Sequence, residues 1–452
     1  MSLIISVSGL RGVVGQSLTP EVAVRYAAAY AAELPGGPVL VARDGRATGA
    51  MIAAAVQSAL AAAGRRVIDA GVAATPTVGV LLREQGCAGA VQVSASHNPA
   101  EYNGLKLFSK DGRVIPAAAG EAVVRRYQAG DFGWAAHAGV GATRRLGDTV
   151  SAHLQRIKPL VDTDRIRPRK FRVLLDANHG AGAVLGRPLL EDLGCEVTAL
   201  GEAPDGRFAH TPEPTAANLV EVAARVKAAG ADVGFCQDPD ADRLALIDET
   251  GRYVGEEYTP AVCIDHVLRQ TPGPVVTNCS TSRMAEDLAE RHGVAFHRSA
   301  VGEANVVDKM LEVRAAIGAE GNGGVIAPRV GLVRDSFVGM ALVLDAMAAR
   351  GLPLSALVDE LPRYAIHKAK VAIDPQRIAD AFAALEAEFV TAGSAAVASR
   401  LDGLRIDWPD EKKWLLVRAS NTEPIVRVFC EAPTEGEAES TAAVAQRCLA
   451  AV

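Results

Sequence analysis

The stretch Gly89-Ala90-Val91-Gln92-Val93-Ser94-Ala95-Ser96-His97-Asn98-Pro99-Ala100-Glu101-Tyr102-Asn103-Gly104-Leu105-Lys106 decides the fold. Its opening run, Gly89 to Val93, is short and apolar, suited to a buried strand, and breaks abruptly into small polar residues. The loop presents Ser96 as a candidate nucleophile with His97 beside it. Asn103-Gly104 reads as a tight-turn dipeptide, since glycine accepts positive φ at no steric cost, and such a turn would return Lys106 toward the serine. A serine hydroxyl is a weak nucleophile until a base, a cation or a metal activates it. Its partners must therefore come from other parts of the chain.

Working outward, the same unit occurs three times. A strand ends in a polar turn, a helix closes at Gly, a short strand closes at another Gly, and a third strand runs into a polar loop. The first copy has Val39–Asp44, Gly64–Gly71 and Gly89–Ser96; the second has Phe171–Asn178, Gly194–Gly201 and Ala231–Asp238. The third has Pro274–Asn278, Gly293–Gly302 and Ala315–Glu320. Strands alternating with helices imply parallel sheets packed between helices. A spacing of about a hundred residues implies similar domains in series rather than a solenoid. Ligands in such sheets sit beyond the C-terminal ends of the strands, so the three polar loops are expected to face one cleft.

The second loop, Gln237-Asp238-Pro239-Asp240-Ala241-Asp242-Arg243, sets three carboxylates at alternate positions, hard oxygen ligands for Mg²⁺ or Ca²⁺. An EF-hand beginning at Asp238 fails, because Arg243 stands where the motif needs Gly and Leu244–Asp248 looks like a strand. The third loop, Glu320-Gly321-Asn322-Gly323-Gly324, offers a carboxylate and a carboxamide that could hydrogen-bond vicinal sugar hydroxyls. Near the N-terminus, Ser8–Gly15 reads as a glycine-rich loop with Arg11 at its centre as an anion donor. After about Leu361 the composition changes to a smaller unit. There Arg418-Ala419-Ser420-Asn421-Thr422-Glu423-Pro424, with Arg427 beyond, forms a plausible phosphate cradle between two strands. His210 and His297 read as packing residues.

The chain has 452 residues, 49% apolar and 22% charged, an ordinary globular balance for several domains. A net charge of −6 gives no electrostatic case for nucleic acid or an anionic membrane. Any anionic ligand must be held by local cations. No apolar run approaches the roughly 20 residues that span a bilayer, and the first residues lack the basic and apolar regions of a signal peptide. Seven scattered cysteines without a CxxC argue for reduced thiols, no zinc site and a cytoplasmic location.

Together these motifs resemble the α-D-phosphohexomutase superfamily, in family order and across essentially the whole chain. Ser94–Pro99 looks like its phosphoserine loop, with Ser96 at the phosphate-carrying position. Asp238, Asp240 and Asp242 match its Mg²⁺ loop, with an oxygen on Ser96 as a further metal ligand. Arg243 matches the arginine that follows, and Glu320 the sugar-binding glutamate. Arg418, Ser420, Asn421 and Thr422 match the phosphate-binding loop of the fourth domain. The resemblance implies an α/β fold: three similar mixed-sheet α/β domains in series and a smaller C-terminal α+β domain around a central cleft. The domains are expected near 1–146, 147–254, 255–362 and 363–452.

The activity implied is interconversion of hexose 6-phosphate and hexose 1-phosphate through phosphoserine 96 and a hexose 1,6-bisphosphate, with Mg²⁺ as cofactor. Catalysis would fall to Ser96, His97, Lys106 and Arg11, with Lys106 favoured as general base because an arginine pKa is too high for easy base chemistry. Arg243, Glu320, Asn322, Arg418, Ser420, Asn421, Thr422 and Arg427 would bind substrate. Many members carry Glu-x-Ser-Gly-His in the sugar loop; here Asn322 replaces the serine and Gly324 the histidine. This loop and Val301-Gly302-Glu303 resemble a phosphoglucosamine mutase subgroup, which points to glucosamine phosphate over mannose or glucose phosphate. The competing readings are a sugar-phosphate phosphatase and a non-catalytic sugar-phosphate binder.

Overall fold

A computed structural model describes residues 3–390, 395–420 and 425–451. Three sheets repeat one plan. In the first, Val39–Arg43, Val67–Val72 and Gly89–Val93 run parallel, and Tyr102–Ser109 lies antiparallel beside the third. In the second the corresponding strands are Arg172–Asp176, Glu196–Leu200, Val233–Gln237 and Leu244–Asp248. In the third they are Val275–Asn278, Phe296–Ser299, Ile317–Glu320 and Gly324–Ile326. Each sheet has the first strand of its unit between the second and the third, with the antiparallel strand outside the third. Each chemistry-bearing loop is thus the reversal between a parallel strand and its antiparallel neighbour. The fourth unit is a five-stranded antiparallel sheet from Ala365–Ala372 to Ile425–Ala432, covered by helices Ile378–Phe389 and Glu435–Ala450.

Two local readings are corrected. Ser8–Gly15 is not a loop throughout: Gly9–Val13 is a strand paired with Tyr102–Ser109, and Arg11 stands on it opposite Gly104. Asn103-Gly104 is not a turn but part of Tyr102–Ser109. The glycine is needed there for close approach, because a Cβ would lie 2.5 Å from Leu10 O and 2.8 Å from Ser94 O. Leu244–Asp248 is a strand, as the rejection of the EF-hand required.

The second and third sheets share one core with helix Ser336–Arg350, whose residues from Ser336 to Met347 are all buried. A helix apolar on every side belongs between layers rather than on a surface. Asp345 is the charged exception, receiving Arg165 from one unit at 2.6 Å and lying 2.8 Å from His266 Nε2 in the next. The fourth unit meets the third through Trp414, Leu416 and Cys279. Among the described residues no helix is long and apolar enough to cross a membrane.

His210 ties the segment after Leu200 to the second sheet, its Nε2 lying 2.7 Å from Asp176 Oδ2. Burial opposes its charge, but the hydrogen bond and charge of Asp176 outweigh that and raise the imidazole pKa above its usual 6.5. This contribution to stability is complete below the unfolded value and is lost as pH rises through the raised one. His210→Gln is therefore expected to flatten the fall of the thermal midpoint above about pH 6.5, checked by calorimetry across the neutral range.

Candidate active site

Ser96 sits in the reversal after Gly89–Val93 with φ at +49°, in the left-handed region that a non-glycine residue seldom adopts. The neighbouring structure over-determines this conformation. The buried guanidinium of Arg46 donates to the carbonyls of Ser96 (2.6 Å), Asn98 (2.5 Å), Pro99 (2.6 Å) and Tyr102 (3.0 Å). Its Nε reaches Asp44 Oδ2 at 3.2 Å, and Ser94 Oγ donates to that oxygen at 2.7 Å. Ser96 N in turn donates to Ser94 Oγ. The Ser96 hydroxyl donates to Asp238 Oδ2 at 2.9 Å, joining the first and second loops. His97 Nδ1 lies 3.4 Å from Ser96 Oγ. Burial, then the charges of Arg243 and Arg11, push that imidazole down to about 3, so it is neutral at pH 7.

Asp238, Asp240 and Asp242 are fully buried, with ligand oxygens within 4.8 Å of one another. Ala241 between them has φ +56°, a bend that turns consecutive carboxylates toward one point. Burial, then Asp240 and Asp242, raise Asp238 well above the carboxylate range. Burial also opposes the charge of Asp242, but Arg334, Lys106 and Arg243 outweigh it and hold its pKa down. Asp240 Oδ1 and Asp242 Oδ1 are buried without a hydrogen-bond partner among the described residues. Hard oxygens, closely grouped and partly unpartnered, fit Mg²⁺. Asp238→Asn is expected to raise the melting temperature in chelator by a few degrees, because a neutral amide replaces a carboxyl group whose ionisation burial, Asp240 and Asp242 all oppose. It is also expected to abolish the rise that Mg²⁺ gives the parent protein, as differential scanning fluorimetry with and without the ion would show.

Lys106 donates to Asp240 Oδ2 at 3.1 Å and Asp242 Oδ2 at 2.9 Å. Burial works against its charge, but these carboxylates prevail and raise its pKa above the usual lysine value. In this arrangement the two carboxylates favour the ammonium form of Lys106. Glu320, at the end of Ile317–Glu320, accepts Asn278 Nδ2 at 2.8 Å and Arg334 Nη1 at 2.7 Å. Asn322 faces the cleft, its buried Oδ1 without a partner among the described residues.

Arg418 and Arg427 are directly opposed on neighbouring antiparallel strands. Like charges so placed repel, and the Nε of each is buried without a partner among the described residues. Such a pair suits an anion. Arg418 also approaches Asp402 at 3.2 Å. Ser420 lines a cavity with Arg11, Arg418 and Arg427; Asn421 and Thr422 lie outside the described residues. One cleft of about 600 Å³ collects Arg11, His97, Lys106, Arg243, Glu320, Asn322, Arg418 and Arg427, drawing on all four units. An adjoining cavity of about 210 Å³ holds Ser96 beside Arg11, Lys106 and Arg243. Burial, then the charges of Arg243 and Arg427, which line the same cleft, lower the Arg11 pKa.

The motif reading missed Arg46, Arg334 and the N-terminus of helix Ser336–Arg350. Arg334 spans three carboxylates: Asp242 (2.6 Å), Glu320 (2.7 Å) and Glu303 (3.1 Å). Asp335 caps the helix through Phe337 N and Val338 N, and Ser336 Oγ donates to Ala241 O at 2.7 Å. Arg46 was within reach in Arg43-Asp44-Gly45-Arg46, where an Asp and an Arg follow a strand. Nothing in sequence spacing connects Arg334 to Asp242.

The phosphoglucomutase/phosphomannomutase family models match in order: alpha/beta/alpha domain I over residues 3–134, domain II over 151–251, domain III over 256–364 and the C-terminal domain over 368–446. A phosphoglucomutase/phosphomannomutase of Thermococcus kodakarensis is 37% identical over 443 residues, 95% of this chain and 94% of that one. A "probable phosphoglucosamine mutase" of Methanopyrus kandleri is 33% identical over 433 residues, 95% and 94% of the two chains. A phosphoglucomutase/phosphomannomutase family protein from Burkholderia thailandensis superposes with a TM-score of 0.86 at 28% identity, covering 99% of this chain and 98% of the other. With all four domains matched and relatives aligned along nearly their whole length, the chain belongs to the phosphoglucomutase/phosphomannomutase family, within the α-D-phosphohexomutase superfamily, and is a phosphohexomutase.

Proposed function

We propose that this enzyme interconverts glucosamine 6-phosphate and glucosamine 1-phosphate through a phosphorylated Ser96 and a hexose 1,6-bisphosphate. The observation that carries the two-phosphate chemistry is the layout of the cleft. Ser96 meets Asp238 where the first and second units join, and the opposed Arg418 and Arg427 come to the cleft from the fourth unit. A phosphatase has no use for a second anion cradle, whereas a bisphosphate that must turn around does. The glucosamine preference rests on the Glu320-Gly-Asn322-Gly-Gly324 loop and the naming of relatives such as that of Methanopyrus kandleri. Mannose and glucose phosphates are the alternative, which the naming of the Thermococcus kodakarensis relative favours.

In this reading the phosphoserine O–P bond breaks as a new O–P bond forms to the free sugar hydroxyl, whose proton ends on the Ser96 oxygen left behind. After reorientation the other phosphoryl group returns to Ser96. Asp238, Asp240, Asp242 and an oxygen on Ser96 would hold Mg²⁺, which supplies positive charge against a loose phosphoryl transition state. Arg11, Arg243 and the Lys106 ammonium add fixed cations around the moving group, and neutral His97 adds no repulsion there. Glu320 and Asn322 accept from sugar hydroxyls, while Arg418, Ser420, Asn421, Thr422 and Arg427 hold the distal phosphate.

The test is ³¹P NMR with Mg²⁺ and a trace of glucose 1,6-bisphosphate. Glucosamine, N-acetylglucosamine, glucose and mannose 6-phosphates would be offered in turn, with Ser96→Ala as control. A 1-phosphate signal that grows fastest from glucosamine 6-phosphate and is absent in the control is expected. Fastest growth from another sugar would move the substrate, and growth of inorganic phosphate alone would replace the mutase by a phosphatase.

A further inference from the structure

Gly324 and Arg334 share one space. A Cβ built on Gly324 collides with Arg334 Cδ and lies 2.8 Å from its Cγ. These are atoms of the stem, not a free end, and the stem cannot swing aside. Beyond it the guanidinium is bound by Glu303, Glu320 and Asp242. Behind it the backbone is fixed, since Asp335 N donates to Val325 O at 2.8 Å and the Asp335 side chain caps the central helix. His153 Nε2 lies 2.8 Å from the other oxygen of that cap. Arg334 is only 8% exposed, yet it borders the cleft.

We propose that Arg334 is a positioning residue for hexose phosphate binding: it fills the place of a side chain at position 324 and holds Glu320 in fixed relation to the Asp238–Asp242 loop. This deepens the mutase reading and rests on Glu320 facing the sugar. With Asn278 on one oxygen and Arg334 on the other, Glu320 has its orientation set before a ligand arrives. The Asp242 oxygen nearest Arg334 is set by the same guanidinium. The glycine at 324 is then half of a pair: losing a side chain there makes room for a cation that reaches two loops at once.

Binding of glucose 1,6-bisphosphate with Mg²⁺, measured by calorimetry in a Ser96→Ala parent, tests this without turnover. Arg334→Ala should weaken binding about 10- to 100-fold, the loss of charged hydrogen bonds to Glu320 and Asp242. In a Glu320→Gln parent the same change should cost clearly less, about fivefold or under, because only the bond to Asp242 remains to be lost and residues that act through one another are not additive. Gly324→Ala should weaken binding about 10-fold with Arg334 present and less than about twofold once Arg334 is Ala. Arg334→Lys, which keeps the charge but not the fork, should fall between and replaces Arg334→Ala in both cycles if that variant does not fold. Losses that simply multiply in either cycle would overturn the inference. No bisphosphate binding in the Ser96→Ala parent itself would instead overturn the reading of the cleft, and the role of Arg334 in binding with it.

Discussion

Ser96→Ala is expected to reduce hexose phosphate interconversion by about 10⁴-fold or more while leaving the fold nearly unchanged. Without the hydroxyl there is no atom to carry the phosphoryl group between the two halves of the reaction. The remaining cations can bind substrate but cannot complete a turnover. The structural cost is small. One hydrogen bond to Asp238 is lost, worth about 1 kcal/mol, and alanine meets the same left-handed backbone as serine. Stopped assays of 1-phosphate formation beside a thermal melt separate the two effects. Turnover within tenfold of the parent would remove Ser96 from the mechanism.

Arg46→Ala has the largest expected effect on stability, about 3 to 5 kcal/mol, as for breaking a buried charge network by removing one partner. Four carbonyls of the Ser96 loop and one oxygen of Asp44 lose a donor together. Burial, against the pull of Arg46, already raises Asp44 to about 6, so the carboxyl left behind is poorly placed to stay charged. The melting temperature should fall on the order of 10 °C. Activity should fall as well, because the left-handed conformation at Ser96 is held only by what surrounds it. Arg46→Lys should recover little, since an ammonium cannot reach four carbonyls with a planar fork. A melt within 2 °C of the parent would show that the loop holds its own shape (about 1 kcal/mol on this scale).

Much of this was legible in the sequence. The three-fold repeat showed in glycine punctuation, because each helix-to-strand step needs a residue that accepts positive φ: Gly64, Gly194 and Gly293 all have it. The three aspartates stood out because alternate carboxylates are costly to crowd without a cation. Arg11 was found for a wrong local reason: glycines that suggested a loop belong to a strand running close beside Tyr102–Ser109. The protonation of Lys106 could not be read at all, because it depends on Asp240 and Asp242, 134 and 136 positions away. Helix Ser336–Arg350 carries no motif, yet its first residues support both the metal-type loop and the sugar-type loop. Of the residues that hold others in place, Arg46 left a trace beside Asp44 and Arg334 left none.

The loops that carry Ser96, Asp238–Asp242 and Glu320 are each bounded on both sides by hydrogen-bonded strands. Their ends stand close together before any ligand comes, so little chain entropy remains to be lost on binding. The same socket, built three times and approximated by the antiparallel sheet of the fourth unit, accepts a different insert at each position. A loop can therefore be exchanged for a relative's without re-laying the strands that carry it. Substrate preference can drift at Glu320–Gly324 while the apparatus at Ser96 and Asp238–Asp242 stands still, so long as Arg334 drifts with it.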